Sequence, residues 1–182
     1  MIMKLSQAAI LAVGVLAMAG CTPKTAAPVV KPPAADYQAA APASPPAANI
    51  RAICYNAADL AVMRARMVQQ ELVVATLQCQ NVGGSRAYES QYASFIGKFQ
   101  GELASNSRSL TQVAGRKRLN VDVFVTEISN RTAQRAPTDR EFCSRSKRAL
   151  DWALSPGVTS LNQVPPPFDL GPEMNIHPCP GQ

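Results

Sequence analysis

The sequence predicts an all-α fold: an up-down-up-down four-helix bundle, stapled by disulfides and flanked by a disordered proline-rich N-terminal tether and C-terminal tail. Three observations carry that prediction. Between residues 50 and 154, apolar side chains recur at helical spacing in four stretches divided by short breaks. Prolines concentrate on either side of that window, which holds only Pro137. Beyond residue 50 the chain carries four cysteines, an even set suited to two bridges. At 182 residues it has room for one domain of ordinary size.

Residues 1–20 read as a targeting segment, because Lys4 precedes an apolar run from Ala8 to Ala19 that closes on the small residues Ala19 and Gly20. A bilayer-spanning helix needs roughly 20 residues, and this run is shorter. Met18-Ala19-Gly20-Cys21 resembles the lipobox of bacterial lipoproteins: an aliphatic residue, two small residues and the acylated cysteine. Met18 stands where leucine is commonest. The resemblance implies that Cys21 becomes the first residue of the mature chain and carries diacylglyceryl and N-acyl groups, an anchor far firmer than a single acyl chain. Thr22, where an inner-membrane retention signal would place aspartate, implies the outer membrane, facing the periplasm. The alternative is an ordinary secretory leader with an incidental cysteine.

From Cys21 to Asn49 the composition turns to alanine and proline, which favours polyproline II or disorder over a packed element. At about 3.1 Å per residue this tether would reach on the order of 85 Å when fully extended. Residues 155–182 form a second proline-rich segment, which includes Pro165-Pro166-Pro167. The domain is therefore placed at residues 50–154.

Its first helix starts at Asn56, with Asp59 three positions on in the manner of a capping box, and runs to about Leu77 behind a stripe of Leu60, Met63, Met67 and Val74. Gly83-Gly84 breaks the chain. The second carries Tyr88, Tyr92, Phe95, Phe99 and Leu103 at steps of four, three, four and four, and extends toward Leu110 and Val113. In the third, RLNVDVFVTEISNRTAQR, the alternation of Val121, Val123 and Val125 also suits a strand. A helical face of Val121, Phe124, Val125, Ile128 and Thr132, with no partner strand in view, favours helix. Pro137 ends it, and Thr138 with Glu141 predicts a capping box for a fourth helix facing inward through Phe142, Cys143, Ala149, Leu150, Ala153 and Leu154. Short connections favour the up-down-up-down order.

That order predicts the bridges. Cys54 and Cys79 lie at opposite ends of a helix about 30 Å long, whereas a disulfide needs α-carbons within about 7 Å. Alternating helices bring the end of helix one to the start of helix four, pairing Cys79 with Cys143. Cys54 then takes Cys179 from the tail. No CxxC or histidine pair supports a metal site, since His177 is the single histidine, and no cofactor motif occurs. The helix MRARMVQQELVVATLQC, the tyrosines and phenylalanines of the second helix and the late Phe142-Cys143 are together similar to uncharacterised helical proteins exported by alphaproteobacteria, over residues 54–154. The likeness implies a helical fold and a Cys79–Cys143 bridge, and no activity.

Two charges in helix one, Arg64 and Glu71, fall inside its apolar arc at 100° per residue. Buried ionic groups demand partners, and seven residues separate this pair by about 10.5 Å of rise. Asp122, Glu127 or Arg131 on another helix are the expected partners. The two would either line a polar site between helices or form a packing network that fixes helix register.

Residues 51–154 hold 15 Lys and Arg against 9 Asp and Glu, a net +6. Local clusters lie at Arg116, Lys117 and Arg118 and at Arg145, Lys147 and Arg148. An exported basic surface suits an anionic envelope polymer, lipid head groups or an acidic protein face. It equally suits a solvated surface with no specific ligand. Nucleic acid does not fit, because no stacking aromatics interleave the arginines. No GxSxG, HExxH or glycine-rich phosphate loop occurs. The sequence thus points away from catalysis, toward a membrane-anchored periplasmic binding or accessory module of the envelope. A lipoprotein enzyme acting on an envelope polymer is the alternative.

Overall fold

A computed structural model describes residues 35–38 and 46–180. The predicted lipobox and leader, with Cys21, lie outside the described residues. In chain order the elements are β1 (Ile53–Tyr55), α1 (Ala57–Gln78), α2 (Glu89–Lys117), α3 (Val121–Arg135), α4 (Phe142–Leu154), two short 3-10 turns (Leu161–Gln163 and Pro172–Met174) and β2 (Ile176–Pro178).

The Asn56 side chain caps α1 by accepting the Asp59 N–H at 2.8 Å. The Asp59 carboxylate turns instead to Arg116, 2.6 Å away. Leu60, Met63, Met67 and Val74 enter one apolar cluster and Ala65, Val68 and Leu72 a second. α1 is consequently covered on two flanks and packs against all three other helices. α2 buries Phe95, Phe99, Leu103, Leu110 and Val113, bends where Phe99 leaves helical geometry, and ends on Arg118 in the left-handed conformation (φ 54°). α3 is helical: Asn120 caps it through the Val123 N–H at 3.0 Å, and Phe124, Ile128 and Thr132 are buried.

The capping box predicted for α4 does not form. The helix starts at Phe142 with Glu141 at the cap position, which leaves Thr138 three residues too early. Its hydroxyl donates to the Arg135 carbonyl at 3.1 Å and closes the α3–α4 turn. Asp139 supplies the local side-chain contact instead, accepting the Glu141 N–H at 2.9 Å.

Both disulfides form as expected, Cys54–Cys179 with α-carbons 4.6 Å apart and Cys79–Cys143 at 5.7 Å. Around the first lies an element the sequence did not announce. β1 pairs in parallel with β2, Cys54 opposite His177, and the Cys179 N–H donates to the Tyr55 carbonyl at 3.0 Å. Three residues per strand are too few to show a period of two.

The tail is not a disordered appendage, and the domain does not end at residue 154. Val158, Leu161, Val164, Phe168, Leu170, Met174 and Ile176 are all buried. Phe168 stacks on Phe142 with ring centroids 5.5 Å apart. The prolines space these apolar residues along the helices without needing a periodic element. Part of the predicted tether is packed as well. The Tyr37 hydroxyl donates to the Pro165 carbonyl at 2.8 Å, the Ala47 N–H donates to the Glu173 carbonyl at 2.8 Å, and Tyr37, Ala47 and Ile50 are buried. Among the described residues no helix is long and apolar enough to cross a membrane.

Candidate functional site

Glu71 is 1% exposed on the central helix. Its Oε2 accepts the Phe168 backbone N–H at 2.8 Å, while Oε1 is buried without a partner. Burial pushes its carboxyl well above the usual glutamate range. The Phe168 N–H and the Arg135 guanidinium oppose that rise, and the Asp169 and Glu173 carboxylates add to it. The same neighbourhood raises Tyr37, chiefly by burial and further through Glu71 and Asp36. Glu71 thus lies in the core as the helical wheel predicts, but its partner is the tail rather than Asp122, Glu127 or Arg131.

Arg131 and Arg135, one turn apart on α3, converge on Glu173. Arg131 holds its Oε2 at 3.1 Å and also meets Glu127 at 2.8 Å. Arg135 grips the other oxygen and lies over the Phe168 ring, 5.4 Å from its centroid. This network went unforeseen because Glu173 sits in a segment whose composition suggests no fold.

Arg64 departs from expectation more sharply. It is exposed, and it has no hydrogen bond or ion pair among the described residues. It does not join Glu71, which is held by the tail at Phe168. Arg64 and Asp169 both line a groove of about 410 Å³ with Gln38, Asn162, Gln163 and Pro165, and both also border an apolar recess of about 110 Å³ formed with Leu60, Met63, Met67 and Ile176. Asp169 is partly spent locally, its Oδ1 accepting the Gly171 N–H at 3.1 Å.

The two cationic clusters lie apart. Arg116 sits on Asp59 near the start of α1, whereas Arg145 and Lys147 adjoin Cys143, which is bonded to Cys79 just past the end of α1. The 20 residues between Asp59 and Cys79 span about 30 Å of helix. Most of these charges have internal work. Lys117 donates to the Cys54 carbonyl at 2.8 Å, Lys147 pairs with Asp151 at 2.7 Å, and Arg145 donates to the Tyr37 carbonyl at 3.1 Å and covers Phe168. Arg118 and Arg148 have no side-chain partner among the described residues.

Among the described residues no group of three or more His, Cys, Asp or Glu side chains is placed to hold a metal ion. Comparisons with family models, with curated proteins and with solved structures return no match.

Proposed function

We propose that the chain is a lipid-anchored lipoprotein of the cell envelope, attached through Cys21 to the outer membrane with its helical domain facing the periplasm, and that it acts as a non-catalytic binding or accessory module. The observation that carries this reading is the cysteine arithmetic. Cys54, Cys79, Cys143 and Cys179 are consumed in two bridges, so of the five cysteines in the sequence Cys21 is the one these bridges do not use. Disulfides persist in oxidising compartments, which agrees with export.

A binding role rather than catalysis is supported by where the carboxylates go. Glu71 is sealed beneath Phe168, and Glu102 accepts both the Ser160 hydroxyl and the Leu161 N–H at 2.9 Å. The same reading keeps the up-down-up-down order of helices. Its support is that the start of α4 is bonded to the end of α1 by Cys79–Cys143, and the end of α2 meets the start of α1 through Arg116–Asp59.

Membrane fractionation with mass spectrometry of the mature N-terminus tests the anchor. The expected result is an acylated Cys21 in the membrane fraction and release of Cys21→Ser with its thermal unfolding unchanged. An unmodified N-terminus, or a variant that stays with the membrane, overturns the proposal. Crosslinking in the native envelope then identifies the partner.

A further inference from the structure

Resting on the reading of the chain as a binding module, we infer that the groove beside α1 binds the free carboxylate end of a short peptide whose last side chain is small and apolar. Three features meet there. Arg64 is an exposed guanidinium with no hydrogen bond or ion pair among the described residues, and it lines the groove. A guanidinium binds a carboxylate through two parallel hydrogen bonds, the strongest kind of polar contact for that anion.

Directly beside Arg64 lies the recess of about 110 Å³, lined by the buried Leu60, Met63, Met67 and Ile176 and by the exposed Pro172, His177 and Pro178. Its size and apolar wall fit one aliphatic side chain, so a carboxylate held on Arg64 would place the terminal side chain there. On the other side the wider groove, about 410 Å³, offers Gln38 and Asn162, which suit the amides of an extended backbone, while the Gln163 oxygen is held by the Thr159 and Ser160 N–H groups. Asp169 borders both spaces. It suits an N–H donor of the bound peptide.

A helix face of small residues extends the groove floor. Ala58, Ala61 and Ala65 hold it open between α1 and the 3-10 turn at Leu161. Small floor residues let a backbone approach closely and leave selection to the two ends of the site.

Fluorescence anisotropy with the full chain in detergent tests the inference. The probe is N-terminally labelled Ala-Ala-Ala-Val with a free carboxylate. The expected result is saturable binding that weakens at least about tenfold when the carboxylate is amidated, and as much when the last residue is Lys. Arg64→Ala abolishes the difference between acid and amide, and Arg64→Lys restores part of it. Arg64 is exposed, so the variants fold, which circular dichroism checks. Equal binding of acid and amide, or no binding to the folded wild type, overturns the inference. So does self-association that Arg64→Ala removes, which assigns the groove to a second copy. If envelope crosslinking still yields a partner while every peptide fails, the peptide site falls and the accessory role stands.

Discussion

Glu71→Gln is the substitution whose effect the structure specifies most closely. Glutamine keeps an oxygen for the Phe168 N–H and matches the protonated acid in shape, so it removes the charge and little else. Glu71 faces Arg135 from α3, Asp169 and Glu173 from the tail and Tyr37 from the N-terminal segment, with burial the dominant influence and upward in direction. A carboxyl raised in the folded state contributes stability that is fully present below the unfolded glutamate value, about 4.3. That contribution is lost as pH rises through the folded value. The loss runs at about 1.4 kcal/mol for each pH unit between the two. For a domain of this size that corresponds to about 3 to 6 °C of melting temperature per unit. Thermal unfolding of both proteins, followed by circular dichroism from pH 5 to 8, reads the difference directly. His177 is common to both and cancels. The variant is expected to match the wild type most closely at the acid end and to exceed it progressively toward pH 8. A constant difference across the range, or a variant less stable at pH 8, refutes the reasoning.

Two further outcomes follow from the packing. Phe168→Ala removes a buried ring stacked on Phe142 beneath Arg135 and Arg145, and is expected to cost about 3 to 5 kcal/mol, read from the urea midpoint. Replacing Cys79 and Cys143 together by serine opens a loop of 64 residues, and is expected to lower stability by about 4 kcal/mol in the chain-entropy account, read by thermal unfolding at fixed pH.

The helices were legible where packing is periodic. Tyr88, Tyr92, Phe95, Phe99 and Leu103 follow one face, and α2 buries three of the five outright. The bridges were legible because helix length excludes one pairing and alternation selects between the others. The tail was not, because Phe168, Leu170, Met174 and Ile176 obey no regular spacing and the prolines between them suggest an open chain. Composition reports what a segment cannot do alone, and here the segment is covered by helices far away in sequence. Arg64 was misplaced for a related reason. A helical wheel assigns one buried arc to the whole length of α1, whereas around Arg64 its neighbours Leu60, Met63 and Met67 are buried and Arg64 itself lies at the surface.

These two residues are therefore linked through the tail rather than through each other. Glu71 holds Phe168, and that hold fixes where the flanking residues 161–166 and 169–178 lie beside Arg64, hence the walls of both the groove and the recess. The consequence separates latch from site. Glu71→Gln retains the acceptor for Phe168, so peptide affinity in the anisotropy assay should stay within about twofold of wild type even where stability changes. Phe168→Ala removes the ring that anchors the crossing, so affinity and stability should fall together. Arg64→Ala should lower affinity alone. If Glu71→Gln weakens the peptide as much as Arg64→Ala does, the tail is not positioned by that hydrogen bond, and the link between core carboxylate and surface groove is wrong.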